Sequence, residues 1–162
     1  MRRRRIYLDT TAVSFYFAED APQKMAITRD FFDRVLPGGK YEVFLSEITL
    51  RELANTKELE LRNKLLRMAH EMFIEVVTLT NEVSRLAKQF VEEKYIPVKY
   101  QEDGLHLAFA LIYNADYLMS WNFKHIVKMQ TREAVKIVAL KEGYKPFEII
   151  TPEEVVANED EL

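Results

Sequence analysis

A chain of 162 residues suffices for one domain and is short for two. Hydrophobic residues at 48% and charged residues at 30% exclude a disordered chain, and four Gly with five Pro exclude a loop-rich, low-complexity one. The absence of Cys excludes a disulfide framework, a thiolate metal site and a Cys nucleophile; three unpaired His argue against a zinc centre, and a net charge of −3 against bulk nucleic-acid affinity.

In chain order, Arg2 to Arg5 reads as a solvated leader to a short buried strand, Arg5 to Leu8. The apolar stretch stops at Asp9, too soon for a secretory signal. Thr10 to Phe17 turns helical. Ala21 to Val35 has a helical rhythm (Met25, Ile27, Phe31, Phe32, Val35), ended by Pro37-Gly38-Gly39. Glu42 to Leu45 is a second strand, and Ser46 is an N-cap for a helix through Ala54. Leu59 to Phe73 is a helix, Glu75 to Leu79 a third strand, and Asn81 to Lys94 a helix stopped near Pro97. Asp103 to Tyr113 is the most apolar helix and is expected at the centre. Asp116 to Ser120 is a fourth strand, Thr131 to Lys141 a helix, and Phe147 to Ile150 a fifth strand. The longest apolar run, Leu107 to Tyr113, is far below the ~18 residues of a membrane span, so a soluble, cytoplasmic protein is expected. Strands alternating with helices predict a single three-layer α/β/α domain with a central parallel five-stranded sheet.

Ligands of such sheets bind beyond the carboxyl ends of the strands. Strand one ends at Asp9-Thr10-Thr11, strand two runs into Ser46 through Glu52, and strand four ends at Ser120-Trp121-Asn122. Asp103 opens the central helix and can aim a carboxylate at the same edge. Asp9, Glu47 or Glu52, Asp103 and Asn122 thus share one rim. Clustered acids are unfavourable without a cation, and hard oxygen ligands select Mg²⁺ or Mn²⁺. Each has a plainer reading: Asp9 and Asp103 as helix caps, Glu47 as a first-turn acid, Glu52 as a solvated face. Glu47 and Glu52 lie about 140° apart around a helix, so both cannot point into one site. His106 reads as a packed, hydrogen-bonded helix histidine, and Trp121 as a core or rim aromatic.

The stretches YLDTTAV, LSEITLRELA, EDGLHLAFALIYNADYLMSWNFKHI and FEIITPEEVV, the last taken as a final strand, resemble PIN domains, and more narrowly the VapC-like ribonuclease toxins. The resemblance spans residues 5 to about 157, implying a single PIN-like domain over 1–157 with an acidic tail at 158–162. It implies a Mg²⁺- or Mn²⁺-dependent endoribonuclease, the toxin of a toxin–antitoxin pair, with RNA as substrate, an antitoxin as partner and a homodimeric state. The family's first three acids fall on Asp9, Glu52 and Asp103, with Thr10 and Thr11 as the hydroxyl residues after the first. Its fourth acidic position is Asn122, as in a Trp-Asn subgroup, with one charge fewer for the metal. Asp9, Glu52 and Asp103 are then the metal-binding residues and, with Asn122, the catalytic ones. Thr10, Thr11, Ser120 and Glu47 support them, and Lys99, Lys124 and Lys128 guide RNA phosphates. Two alternatives stand beside this reading: a catalytically silent PIN fold that binds RNA or protein, and a haloacid-dehalogenase-type phosphatase, which would want a second Asp where Thr11 stands.

Overall fold

The computed structural model of the chain describes residues 2–72 and 75–161. Five strands, β1 (Arg4–Leu8), β2 (Tyr41–Ser46), β3 (Val76–Val77), β4 (Tyr117–Met119) and β5 (Glu148–Ile150), form one parallel sheet in the order β3-β2-β1-β4-β5. Eight α-helices accompany them among the described residues: α1 (Thr10–Ser14), α2 (Pro22–Asp30), α3 (Glu47–Ala54), α4 (Leu59–Met72), α5 (Asn81–Glu92), α6 (Gln101–Ile112), α7 (Met129–Glu142) and, after the last strand, α8 (Pro152–Asp160). No helix among the described residues is long and apolar enough to cross a membrane. The period-two alternation of β1 sorts the core. Ile6 and Leu8 face a layer with Phe31, Phe32, Leu53 and Leu65, whereas Tyr7 faces Leu86, Phe90, Leu107 and Phe109. Both faces are therefore covered, as the sequence predicts.

β1 is central, paired to β2 through Tyr7 and Phe44 and to β4 through Tyr7 and Leu118. The chain builds outward from β1 to β2 and β3, then returns to lay β4 and β5 on the other side. The carboxyl ends of β1 and β4 thus flank the point where strand order reverses, where such sheets open a crevice.

Several boundaries differ from expectation for local reasons. β3 has two residues instead of five, because the Leu79 amide is taken by the Glu47 carboxylate (2.7 Å) and Thr80 caps α5. The long second helix stops at Asp30 and widens into a π-helical turn over Phe31–Val35, which lets the adjacent Phe31 and Phe32 both reach the core. α6 starts two residues before Asp103, which lies in its first turn instead of capping it. The final strand ends at Ile150. There Thr151 caps α8 through the Glu154 amide, and the helix runs on through residues 158–160, with Glu159 on Lys40 (3.0 Å) and Asp160 on Arg34 (2.9 Å). Phe73, expected to end α4, and Leu162, at the end of the acidic tail, lie outside the described residues.

The Arg leader is not simply solvated. Arg2 and Lys145 both pair with Asp116, which also accepts the Arg5 amide. Arg5 pairs with Glu42 and Glu75 and lies over the Phe44 ring at 4.3 Å. This clamps the amino end of the sheet, opposite the acidic rim.

Candidate functional site

Asp9 leaves β1 in extended conformation and caps α1, so its carboxylate is held at the strand end. It is 2% exposed; Oδ1 accepts from the Thr11 hydroxyl (2.7 Å) and the Ala12 amide (3.0 Å), and Oδ2 from the Ser120 hydroxyl. Burial pushes its pKa up, against the pull of His106 and these donors. The Thr11 oxygen in turn accepts the Trp121 amide (2.8 Å), and Ser120 accepts the Asn122 amide (2.9 Å). Two hydroxyls therefore lock the end of β4 to the end of β1.

Glu52 reaches the same place from α3, whose Ile48 and Leu53 are buried. Its Oε1 accepts from the Thr10 hydroxyl (3.0 Å) and meets His106 Nε2 at 2.6 Å. The other ring nitrogen of His106 meets the Tyr7 hydroxyl at 2.6 Å, and that hydroxyl meets Ser46 Oγ at 2.8 Å. Burial opposes charge on both Glu52 and His106. Even so, their mutual bond holds Glu52 below its ordinary value and, with Tyr7 and Asp9, lifts His106 well above its own. His106 is packed and hydrogen-bonded, as expected, but its partner is a rim acid.

Asp103, in the first turn of α6, is pushed up to about 6 by burial; Asp9 and Glu52 push the same way, and His106 and Asn122 oppose them. Asn122 turns its amide nitrogen toward Asp103 Oδ1 (3.4 Å) and its oxygen to the His125 amide (3.0 Å). It meets the acids as a donor.

The structure thus brings together Asp9, Glu52, Asp103 and Asn122, with Thr10, Thr11 and Ser120 bonded to them. It does not bring in Glu47, which is exposed and holds the Leu79 amide on the far side of α3; the expected supporting role is corrected. Lys99 and Lys124 flank the Tyr100 ring (5.8 and 5.5 Å), and Lys128 precedes α7 near His125. Two residues bonded into this network stand outside the expected site: His106, read only as a packed helix histidine, and Tyr7. His106 sits three positions after Asp103 on the same helix face, a spacing that could have linked them. Tyr7 carried no signal, since its polar tip lies inside an apolar strand.

Hard oxygen donors from three segments fit Mg²⁺ or Mn²⁺ in kind. Asp9 Oδ2 has a lone pair left, and Glu52 Oε2 meets no donor among the described residues. Their mutual repulsion, felt at Asp103, is what a cation relieves. Among the described residues no three His, Cys, Asp or Glu side chains are already drawn into a ligand set. A groove of about 360 Å³ lies apart, between α5 and α6, lined by Arg51, Ala87, Gln101 and Leu105 and by none of the acids.

No protein-family model and no curated protein matches the chain. Among solved structures it is similar to a chain of VapBC2 from Rickettsia felis, solved bound to a DNA fragment from their promoter. The identity is 14% over 91% of this chain and 98% of that chain, with a TM-score of 0.54. It is also similar to VapBC-1 from nontypeable Haemophilus influenzae, at 19% identity over 75% of this chain and 89% of that one, with a TM-score of 0.52. At such identities the agreement is one of fold: a three-layer, PIN-like α/β/α domain.

Proposed function

We propose that the protein is a divalent-metal-dependent endoribonuclease, the VapC-like toxin of a toxin–antitoxin pair, acting in the cytoplasm as a homodimer. The observation that carries the reading is the meeting of Asp9, Glu52 and Asp103 at the carboxyl ends of β1 and β4, with Asp103 raised to about 6. The motifs shared with VapC-like toxins and the fold shared with two VapBC structures support it.

Asp9, Asp103 and Glu52 would hold Mg²⁺ or Mn²⁺. When bound, such an ion lowers the pKa of its water and offsets charge on the phosphodiester. Asp9 is pre-oriented by three donors, so it offers its oxygen at little entropic cost. Glu52, kept ionised by His106, would orient the attacking water by accepting a hydrogen bond from it. Asp103 must be deprotonated to bind, and the Asn122 amide steadies it in that form. Lys99, Lys124 and Lys128 would draw RNA phosphates toward an otherwise repellent rim.

Single-turnover cleavage of a mixed-sequence RNA with and without Mn²⁺ tests this, with Asp103→Asn as control. Metal-dependent products lost in the variant are expected. Binding of RNA without cleavage would leave the silent module, and a phosphoenzyme trapped at Asp9 would leave the phosphatase.

A further inference from the structure

At the end of β4, Lys24 lies over three rings at once: Phe15 (5.7 Å), Trp121 (5.6 Å) and Phe123 (5.2 Å). The placement is built. The Trp121 indole donates to Thr28 Oγ1 (2.9 Å), and that hydroxyl donates to the Lys24 carbonyl (2.7 Å), which pins this turn of α2 to the end of β4. Trp121 is 4% exposed, whereas Phe123 is 49% exposed. No carboxylate pairs with Lys24 among the described residues. A lysine with no carboxylate partner therefore lies against an exposed ring that follows Asn122 in sequence, and Thr11 bonds both Asp9 and the Trp121 amide.

We propose that Phe123 and Lys24 form a subsite for one unstacked nucleotide of single-stranded RNA, Phe123 stacking the base and Lys24 meeting its phosphate. The ligand's identity rests on the ribonuclease reading above. An exposed ring takes any base face, and a cation beside it takes the backbone charge; together they hold a single strand without reading its sequence. A duplex hides its base faces and offers Phe123 nothing. With one nucleotide fixed here, the neighbouring phosphodiester comes to the acids.

Binding of a labelled uridine oligomer of about ten nucleotides, followed by anisotropy in EDTA, separates binding from cleavage. Relative to wild type, Phe123→Ala and Lys24→Gln should weaken binding roughly 5- to 50-fold, Phe123→Tyr should restore it and Phe123→Leu should not. Lys24→Gln should also flatten the salt dependence by close to one phosphate contact, which a purely structural lysine would not do. With Mn²⁺ the same variants should raise KM and leave kcat within about threefold. Unchanged affinity in Phe123→Ala, while wild type still cleaves RNA, would overturn the subsite and leave the ribonuclease. Loss of binding in that variant, with a wild type that cleaves nothing, would keep the subsite and remove the ribonuclease. A wild type that binds no single strand, or binds a duplex equally well, would overturn the proposal.

Discussion

At the scale of single residues, Asp103 is the most informative group. It is a carboxyl that burial and two neighbouring acids make reluctant to ionise, and a divalent cation reverses that cost. Mn²⁺ should therefore raise the melting temperature of wild type at pH 7.5 by mass action on the folded state. Asp103→Asn, nearly isosteric, should keep the fold and lose the rise; differential scanning fluorimetry with and without Mn²⁺ reads both. Asn122 offers the complementary test. Its oxygen caps the His125 amide and its nitrogen faces Asp103, so Asn122→Asp keeps the cap and turns a second oxygen toward the acids. Tighter Mn²⁺ binding by roughly tenfold is expected, on the order of 1.4 kcal/mol. Cleavage should improve at low Mn²⁺ and change little at saturation. Equal half-saturation points for the two proteins would take Asn122 out of the metal's surroundings.

At the scale of elements, the rotation of α3 decides which glutamate joins the rim. Buried Ile48, Thr49 and Leu53 set that rotation, sending Glu52 to Thr10 and His106 and Glu47 to the Leu79 amide. The arithmetic of 100° per residue already separates the two, but choosing between them needs the packed face. Glu52→Gln should cost at least ~100-fold in RNA cleavage, the scale of a positioned catalytic group. Glu47→Gln should cost ~10-fold or less and show mainly as a small loss of stability, because it weakens one helix-end contact. A larger loss in Glu47→Gln would mean that Leu79 and the loop after β3 matter more to catalysis than the carboxylate on His106. α6 shows the same dependence on packing. Gly104 lets it lie close to α5, where an added Cβ would meet the Ala87 carbonyl at 3.1 Å, and this close approach sets where Asp103 projects.

At the scale of the whole molecule, the sheet is tied at both ends by polar groups of different kinds. Hydroxyls and acids join β1 to β4 at the carboxyl end, and Asp116 gathers Arg2, Lys145 and the Arg5 amide at the amino end. Burial alone would raise the Asp116 pKa, but these partners hold it well below the usual carboxylate range. A pKa lower in the folded than in the unfolded state gives stability that is complete above about pH 4 and lost as pH falls further. Asp116→Asn should lose about 1–3 kcal/mol at pH 7, and its stability should fall less steeply than that of wild type below pH 4. Chemical denaturation at pH 7, 4 and 3 measures both.

Much of this architecture was legible in the sequence. The alternation of strands and helices, the buried strand before Asp9, the Ser46 cap and the central apolar helix all follow from side-chain period and capping chemistry, which act over a few residues. So was the gathering of Asp9 and Asn122 at one rim, because strand ends in a parallel sheet share one edge, with Asp103 brought there by the start of the central helix. Other features depend on partners far along the chain. The shortened β3 depends on Glu47, the helix after Thr151 on packing against α2, and the link from Glu52 through His106 to Tyr7 on side chains from three elements. The sequence alone thus determined the order of elements and the edge where chemistry can occur. The tertiary structure decided which face each acid presents, which of them ionises readily, and that Lys24 packs on an exposed Phe123. Those properties arise from burial and distance between residues up to 111 positions apart, which no local pattern carries.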